Sequence, residues 1–176
     1  MDQPIDQPRA GGAETLEILT IALGGEIFAL PAAIVLEILD VGPVTPVPNA
    51  PAFVGNLINF RGRVAPLADL RLRCGMEVAA PTEDSRIVVL EFPFDGEPIL
   101  AAILADKVYE VTRLDALVTD QVPRFGTRWR PEFVQCIGRR NNDFVMVLDI
   151  GRIFASADSL VSPELHGPGG KSAPVD

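Results

Sequence analysis

The sequence predicts an all-β fold built from two similar halves, and three observations carry that prediction. Short runs rich in Ile, Val, Leu and Phe recur along the chain, most of them bounded by turn residues. Several runs are apolar on both faces (IVVL, ILAAIL and FVMVL), as befits strands packed between layers or closed into small barrels. The stretch from Val47 to Gly75 also has a second copy 80 residues downstream. Pro51, Phe53, Val54 and Asp69 fall on Pro131, Phe133, Val134 and Asp149 without a gap, while Leu57 meets Ile137, Val64 meets Phe144, Leu67 meets Val147 and Leu70 meets Ile150. Two units of 80 residues read as a duplicated small domain rather than a solenoid.

Taken in order, Leu16 to Leu23 and Glu26 to Pro31 are strands joined at Gly24-Gly25, a pair suited to a two-residue hairpin turn. Ala32 to Leu39 reads as a helix, and Pro51 to Val54 as a turn. Gly55 to Phe60 and Val64 to Leu70 are strands around the Arg61-Gly62 turn, and Pro66 makes the second an edge at that point. Arg86 to Phe92 and Ile99 to Leu104 flank Asp95-Gly96, and Val108 to Thr112 follows as a strand. Pro131 to Cys136 is the counterpart of the earlier turn, Phe144 to Asp149 is a strand after Asn141-Asn142, and Ile150 to Ser156 is a final helical piece. The upstream parts of the halves also correspond: each has a turn, an apolar run and a Val-x-Glu step, with Glu37 matching Glu110 across a two-residue gap.

A chain of 176 residues that is 48% hydrophobic buries a substantial core and is expected to be one domain. Its net charge of -9 argues against a general binder of nucleic acid or anionic membrane. Residues 1–15 and 157–176 are expected to be disordered tails around an ordered domain at 16–156. No apolar run is long enough to span a membrane, and the acidic, Pro-containing N-terminus is unlike a signal peptide, so a cytoplasmic location without membrane insertion is expected. Cys74 and Cys136 have no Cys or His neighbours and read as reduced thiols, Cys136 as a small core residue.

The segment Pro48-Asn-Ala-Pro-Ala-Phe, then Asn59-Phe60-Arg61-Gly62, then Val64-Ala-Pro-Leu-Ala-Asp69-Leu70-Arg71, resembles the signature of the CheW family. The ILAAILADKVYEV run and the closing Phe144-Val-Met-Val-Leu-Asp149 agree with it, so the resemblance covers about Leu16 to Ser156. It implies two pseudo-symmetric, five-stranded, SH3-like β-barrels sharing a hydrophobic core, with a few short helices. It also implies a non-catalytic adaptor that couples chemoreceptors to a CheA-type histidine kinase. Its partners would be the cytoplasmic hairpin tip of a receptor, held in a groove between barrels, and the kinase regulatory domain, held at the barrel ends.

Receptor-binding candidates follow from that resemblance. Arg61, at the hairpin where the second copy has no charge, reads either as a solvated turn arginine or as a charged anchor, with Glu37 on the preceding helix as its partner. Such a pair is worth ~0–1 kcal/mol if exposed, whereas breaking it would cost ~3–5 kcal/mol if buried. Val35, Leu57 and Ile58 are candidate apolar lining; Leu57 suits core and groove equally. Asn56 departs from the glycine usual in the family, and Asn is the next best residue for a left-handed backbone. Asp69 and Asp149 end their strands symmetrically and read as caps of the following turns, not as catalytic carboxylates.

Enzyme chemistry finds little support. The sole histidine, His166, lies in the C-terminal tail, which disfavours His-based acid–base chemistry and His-ligated metals, and no cofactor is implied. Gly170-Lys171-Ser172 ends like a P-loop, but the required earlier glycine is Leu165. The competing reading is a small-barrel module for another partner, including a competing scaffold. Arg124, Arg128, Arg130, Arg139 and Arg140 interleave with Phe125, Trp129 and Phe133, a pattern single-stranded nucleic acid uses, although the overall charge opposes it.

Overall fold

The computed structural model describes residues 14–117 and 130–158. The expected tails lie almost wholly outside these residues, as do Arg124, Phe125, Arg128, Trp129, His166 and the Gly170-Lys171-Ser172 motif. The strands are β1 (Glu14–Leu23), β2 (Glu26–Pro31), β3 (Val35–Asp40), β4 (Thr45–Pro46), β5 (Asn56–Phe60), β6 (Arg63–Ala68), β7 (Arg86–Phe94), β8 (Glu97–Ala105), β9 (Lys107–Leu117), β10 (Val134–Arg140) and β11 (Asp143–Leu148). Two α-helices, α1 (Leu70–Arg73) and α2 (Ile150–Asp158), follow β6 and β11, and single 3₁₀ turns stand at Ala32–Ile34, Ala52–Val54 and Pro131–Phe133.

The strands form two sheets. One is a closed barrel in the order β1-β2-β11-β10-β9; the other is a six-stranded half-barrel, β3-β7-β8-β6-β5-β4. The expected all-β architecture of two related barrels is therefore present, with one seam left open between β3 and β4. In the closed barrel that position is filled by β9 pairing with β10 through Leu117, Ala116 and Asp115. Gly42-Pro43 follows β3 instead, and proline supplies no N–H for a ladder.

The two sequence copies exchange hairpins. β1 and β2 of the first copy complete the barrel of the second, and β7 and β8 of the second complete the half-barrel of the first. The registers repeat as well. Leu19 faces Val111 as Val88 faces Ile38, and Ile18 faces Thr112 as Ile87 faces Leu39. The parallel contact of Val147 with Ala29 is matched by that of Leu67 with Ala102. This alignment sets Glu37 on Glu110, as the two-residue gap in sequence required, and it also sets Ala33 on Asp106 and Gly24 on Pro93.

Alternation along the central strands explains why they are apolar on both faces. Ile87, Val89, Leu100 and Ala102 fill the half-barrel with Ile58, Phe60, Ala65 and Leu67. Their neighbours Val88, Leu90, Phe92, Ala101 and Ile103 enter a larger core shared with Leu19, Ile21, Leu23, Phe28 and Leu30 of the closed barrel. The closed barrel has its own small interior of Ile18, Ala29, Leu114, Val145 and Val147. Gly138 belongs here: a Cβ at this position would lie 2.0 Å from Leu114 Cδ2. Its counterpart in the first copy is Ile58, so one barrel is filled from β5 and the other from β9. Gly138→Ala is expected to cost about 1–3 kcal/mol through overpacking, read as a lower urea midpoint. Gly138→Ala combined with Leu114→Ala should cost less than the two single changes added together.

Several local readings are corrected. Ala32 to Leu39 is not a helix: a 3₁₀ turn at Ala32–Ile34 leads into β3, whose burial alternates along its length. Pairing of β3 with β7 decides the conformation, overriding the local pattern. Likewise Pro131–Phe133 is followed directly by β10 rather than by further turn, and Leu70 opens α1 rather than closing a strand. Asn56 is not left-handed; the non-glycine residues with positive φ are Asn49, Arg61, Asp95 and Asn141 among the described residues. Asn56 pairs with Pro46 on one side and Leu67 on the other, which demands an extended backbone. The hairpin positions Gly24-Gly25, Arg61-Gly62 and Asp95-Gly96 do carry the positive φ that such turns need. Pro66 pairs with Leu57 where contact with β8 has not yet begun, so its missing donor faces no ladder.

Candidate functional site

The open seam of the half-barrel is crossed by one ion pair. Arg61 sits at φ 50 in the β5–β6 turn, held there by Asn59, whose Oδ1 accepts from Gly62 N at 2.8 Å. From this perch Arg61 Nη2 donates to Glu37 Oε2 at 2.6 Å, and its guanidinium lies 5.1 Å from the centroid of Phe60. The arginine side chain is 73% exposed and the glutamate 35%, so the pair contributes at most about 1 kcal/mol to stability. Its charge and donors remain available at the surface.

The other sequence candidates surround this pair unequally. Val35 is half-buried and packs against the shared core where β3 begins. Leu57 is half-buried and pairs with Thr45 and Pro66, whereas Ile58, the next residue, is 6% exposed inside the half-barrel. Strand alternation therefore sends Leu57 and Ile58 to opposite faces. Asn56 is half-buried at the start of β5. The fold thus brings Glu37 and Arg61 into contact and places Val35 and Leu57 at partly exposed positions on the flanking strands; Ile58 supports β5 from within.

The pair has a counterpart that sequence reading missed. Arg140 Nη2 donates to Glu110 Oε1, so the second copy rebuilds the bridge from the residue before its turn. The matching of Glu37 with Glu110 was the available signal, and it needed Arg140 as the donor in place of Asn141. Exposed apolar side chains are paired in the same way. Val64 and Phe144 are 67% and 69% exposed, and Leu36 and Ile38 on β3 correspond to Tyr109 and Val111 on β9, all four exposed. The arginine–aromatic stretch, by contrast, is not an open stacking platform where it is described: Phe133 is core, Arg130 meets Glu132 at 3.4 Å, and Arg140 is paired with Glu110.

A buried charge network lies at the other end of the first copy. Arg71 is 2% exposed. Its Nε and Nη2 donate to Asp69 at 2.9 and 2.7 Å, and its Nη1 donates to Asp106 Oδ1 at 2.8 Å and to the Ala79 carbonyl at 3.2 Å. Asp106 Oδ2 accepts from Gly24 N at 2.6 Å, which ties α1 to the β1–β2 and β8–β9 turns. Hydrogen bonds to Asp69 hold the Arg71 pKa above its ordinary value against the cost of burial. Asp69 also caps α1 by accepting from Arg71 N, as Asp149 accepts from Arg152 N, so both aspartates serve as the expected caps. The turns before them match too: Phe53 O accepts from Asp69 N, and Phe133 O from Asp149 N.

Cys74, at the end of α1, is 7% exposed in the shared core, and burial pushes its pKa up to about 12. An unfolded thiol titrates near 8.5. Above that pH the native state holds the proton more tightly than the unfolded chain does. Stability is therefore expected to be flat in this respect below about pH 8.5 and to fall as pH rises towards 12, by up to about 1.4 kcal/mol per pH unit. Urea midpoints across that range should show the slope in wild type and its loss in Cys74→Ala. Among the described residues no cluster of three or more His, Cys, Asp or Glu is placed to hold a metal, and no helix is long and apolar enough to cross a membrane.

Comparison with known proteins places this geometry. The CheW-like domain family matches residues 17–158. The chemotaxis protein CheW of Klebsiella aerogenes is 27% identical over 149 residues, covering 85% of this chain and 87% of that protein. The CheW protein of Helicobacter pylori is 29% identical over 140 residues, covering 80% and 82%. The crystal structure of the scaffolding protein TtCheW from Thermoanaerobacter tengcongensis superposes with a TM-score of 0.66 at 25% identity, covering 80% of this chain and 93% of that one.

Proposed function

The chain belongs to the CheW-like domain family, and from that premise we propose that it couples chemoreceptors to a CheA-type histidine kinase as a cytoplasmic adaptor in a chemotaxis-like array. The observation that carries this reading is the family match across both sheets, from residue 17 to residue 158. Proteins of this family are non-catalytic scaffolds, and the chain is read in the same way.

The finer assignment is to surfaces. The receptor's cytoplasmic hairpin tip docks at the open seam of the half-barrel, with Arg61 and Glu37 as charged contacts and Val35, Asn56 and Leu57 beside them, Ile58 backing β5. An amphipathic helical tip suits such a site, because apolar anchors settle the helix and a rim charge sets its orientation. The kinase regulatory domain docks at the barrel ends. Exposed apolar residues at equivalent positions of both copies, Val64 with Phe144 among them, give the chain two similar faces for a partner of related fold. The domain that does this spans residues 16–156 as two intertwined barrel subdomains.

The test is binding of the full chain to a purified kinase regulatory domain and, separately, to a receptor hairpin fragment. Binding to both supports coupling. Binding to neither, by a chain shown to be folded, would leave a CheW-like fold without the coupling function.

A further inference from the structure

The half-barrel meets the closed barrel at two pseudo-equivalent ends, which differ in kind. At the first, Arg71 of α1 is bonded to Asp106 in the β8–β9 turn, and Asp106 accepts from Gly24 N in the β1–β2 turn of the closed barrel. Asp106 N also donates to Ala22 O of β1 at 3.0 Å. A chain of directional bonds through a buried guanidinium thus ties one barrel to the other. A cavity of about 370 Å³ borders Arg71 on the side of Glu77, Val78 and Thr82, so the bonds make this joint and not tight filling.

The second end cannot build such a chain. The 80-residue offset sets Gly151 on Arg71, and the strand registers set Ala33 on Asp106 and Pro93 on Gly24. Cation, carboxylate and N–H donor are each replaced by a residue without that group, since proline has no N–H. What joins this end is a set of rings. Phe154 of α2, standing where the first copy has Cys74, lies 5.4 Å from Phe92 of β7 and 5.6 Å from Phe53, both tilted. Phe92 also borders a cavity of about 160 Å³ together with Ile34, Leu148 and Gly151. Apolar packing is non-directional and tolerates small sliding, whereas a guanidinium–carboxylate bond fixes both distance and angle.

We propose that the joint between the barrels is a one-sided hinge, in which the Arg71–Asp106–Gly24 chain is the pivot and α2 slides on β7 at the Phe154 end. The motion is a small shear of packed elements about a fixed point. Its place in the fold gives it a use. The 3₁₀ turn at Ala32–Ile34 lies at the sliding end, where Ile34 lines the cavity, and it leads directly into β3. β3 carries Glu37, the acidic half of the ion pair across the seam. A displacement of β3 therefore reaches the end that yields and turns the closed barrel relative to the seam. The hinge is a property of the free chain and does not rest on the partners proposed above.

Distances between paired nitroxide labels on the full chain read the hinge directly, in a background of Cys74→Ala and Cys136→Ala. All four label sites are exposed. Glu26→Cys with Leu72→Cys spans the Arg71 end, and Glu97→Cys with Ala155→Cys spans the Phe154 end. The distance distribution across the Phe154 end is expected to be about twofold broader than that across the Arg71 end. Asp106→Ala, which removes the acceptor shared by Arg71 and Gly24, should broaden the distribution at the Arg71 end to match. Equal widths at the two ends before that change would overturn the proposal, and so would an Arg71 end that stays narrow in Asp106→Ala. The comparison of the two ends leaves the network intact, so it decides the matter even if Asp106→Ala does not fold.

Discussion

Replacing Arg71 with methionine is expected to lower stability by about 3–5 kcal/mol, the largest single effect foreseen for this protein. The substitution keeps most of the apolar stem but removes the guanidinium donors to Asp69 and Asp106, leaving the two carboxylates with backbone donors but without their shared cation. It also releases the link from α1 to Gly24, because Asp106 is held between Arg71 and that turn. Urea unfolding should show a lower midpoint at unchanged m-value, and Tm should drop by roughly 6–20 °C at about 2–4 °C per kcal/mol for a chain of this size. Arg71→Lys should recover part of the loss at most, since an ammonium cannot serve two carboxylates through a planar fork. Adding Asp106→Asn to Arg71→Met should recover part of it by removing one uncompensated charge. A loss below about 1 kcal/mol in Arg71→Met would mean that the network is dispensable.

The second large effect is on binding. Arg61→Glu places two acidic side chains at the seam, where wild type has a 2.6 Å ion pair. Because the pair is exposed, stability should change by no more than about 1 kcal/mol. Affinity for the receptor hairpin fragment should fall at least tenfold, which is about 1.4 kcal/mol or more, while binding to the kinase regulatory domain should persist. The charge-swapped double variant Glu37→Arg with Arg61→Glu separates two explanations. If it restores the bridge but not receptor binding, Arg61 contacts the receptor directly. If it restores receptor binding, the bridge matters by holding the seam. A folded Arg61→Glu variant that binds the receptor fragment like wild type would remove Arg61 from the site.

Much of this architecture was legible in the chain. The strand runs, the hairpin turns and the repeat from Pro51 to Asp69 onto Pro131 to Asp149 all depend on local composition, and so does the capping role of the two aspartates. The partnership of Glu37 with Arg61 was also legible, through family resemblance. The conformation of residues 32–39 was not, because Val35–Asp40 becomes a strand only by pairing with β7, some fifty positions away in sequence. Nor was Arg71 singled out, since nothing in Asp-Leu-Arg states that Asp106 and a turn glycine will close around it.

By itself the sequence determined the class of fold, the duplication, the family and the charged turn, because each is written in short-range pattern or in motif order. Tertiary structure alone decided that the two copies exchange hairpins, that one barrel closes while the other keeps a seam, and that Ile58 is core while Leu57 is partly exposed. It also decided that Arg71 is buried between Asp69 and Asp106, where the second copy has Gly151. The physical reason is that strand pairing and the burial of charge are long-range choices, made between segments that carry no local record of one another.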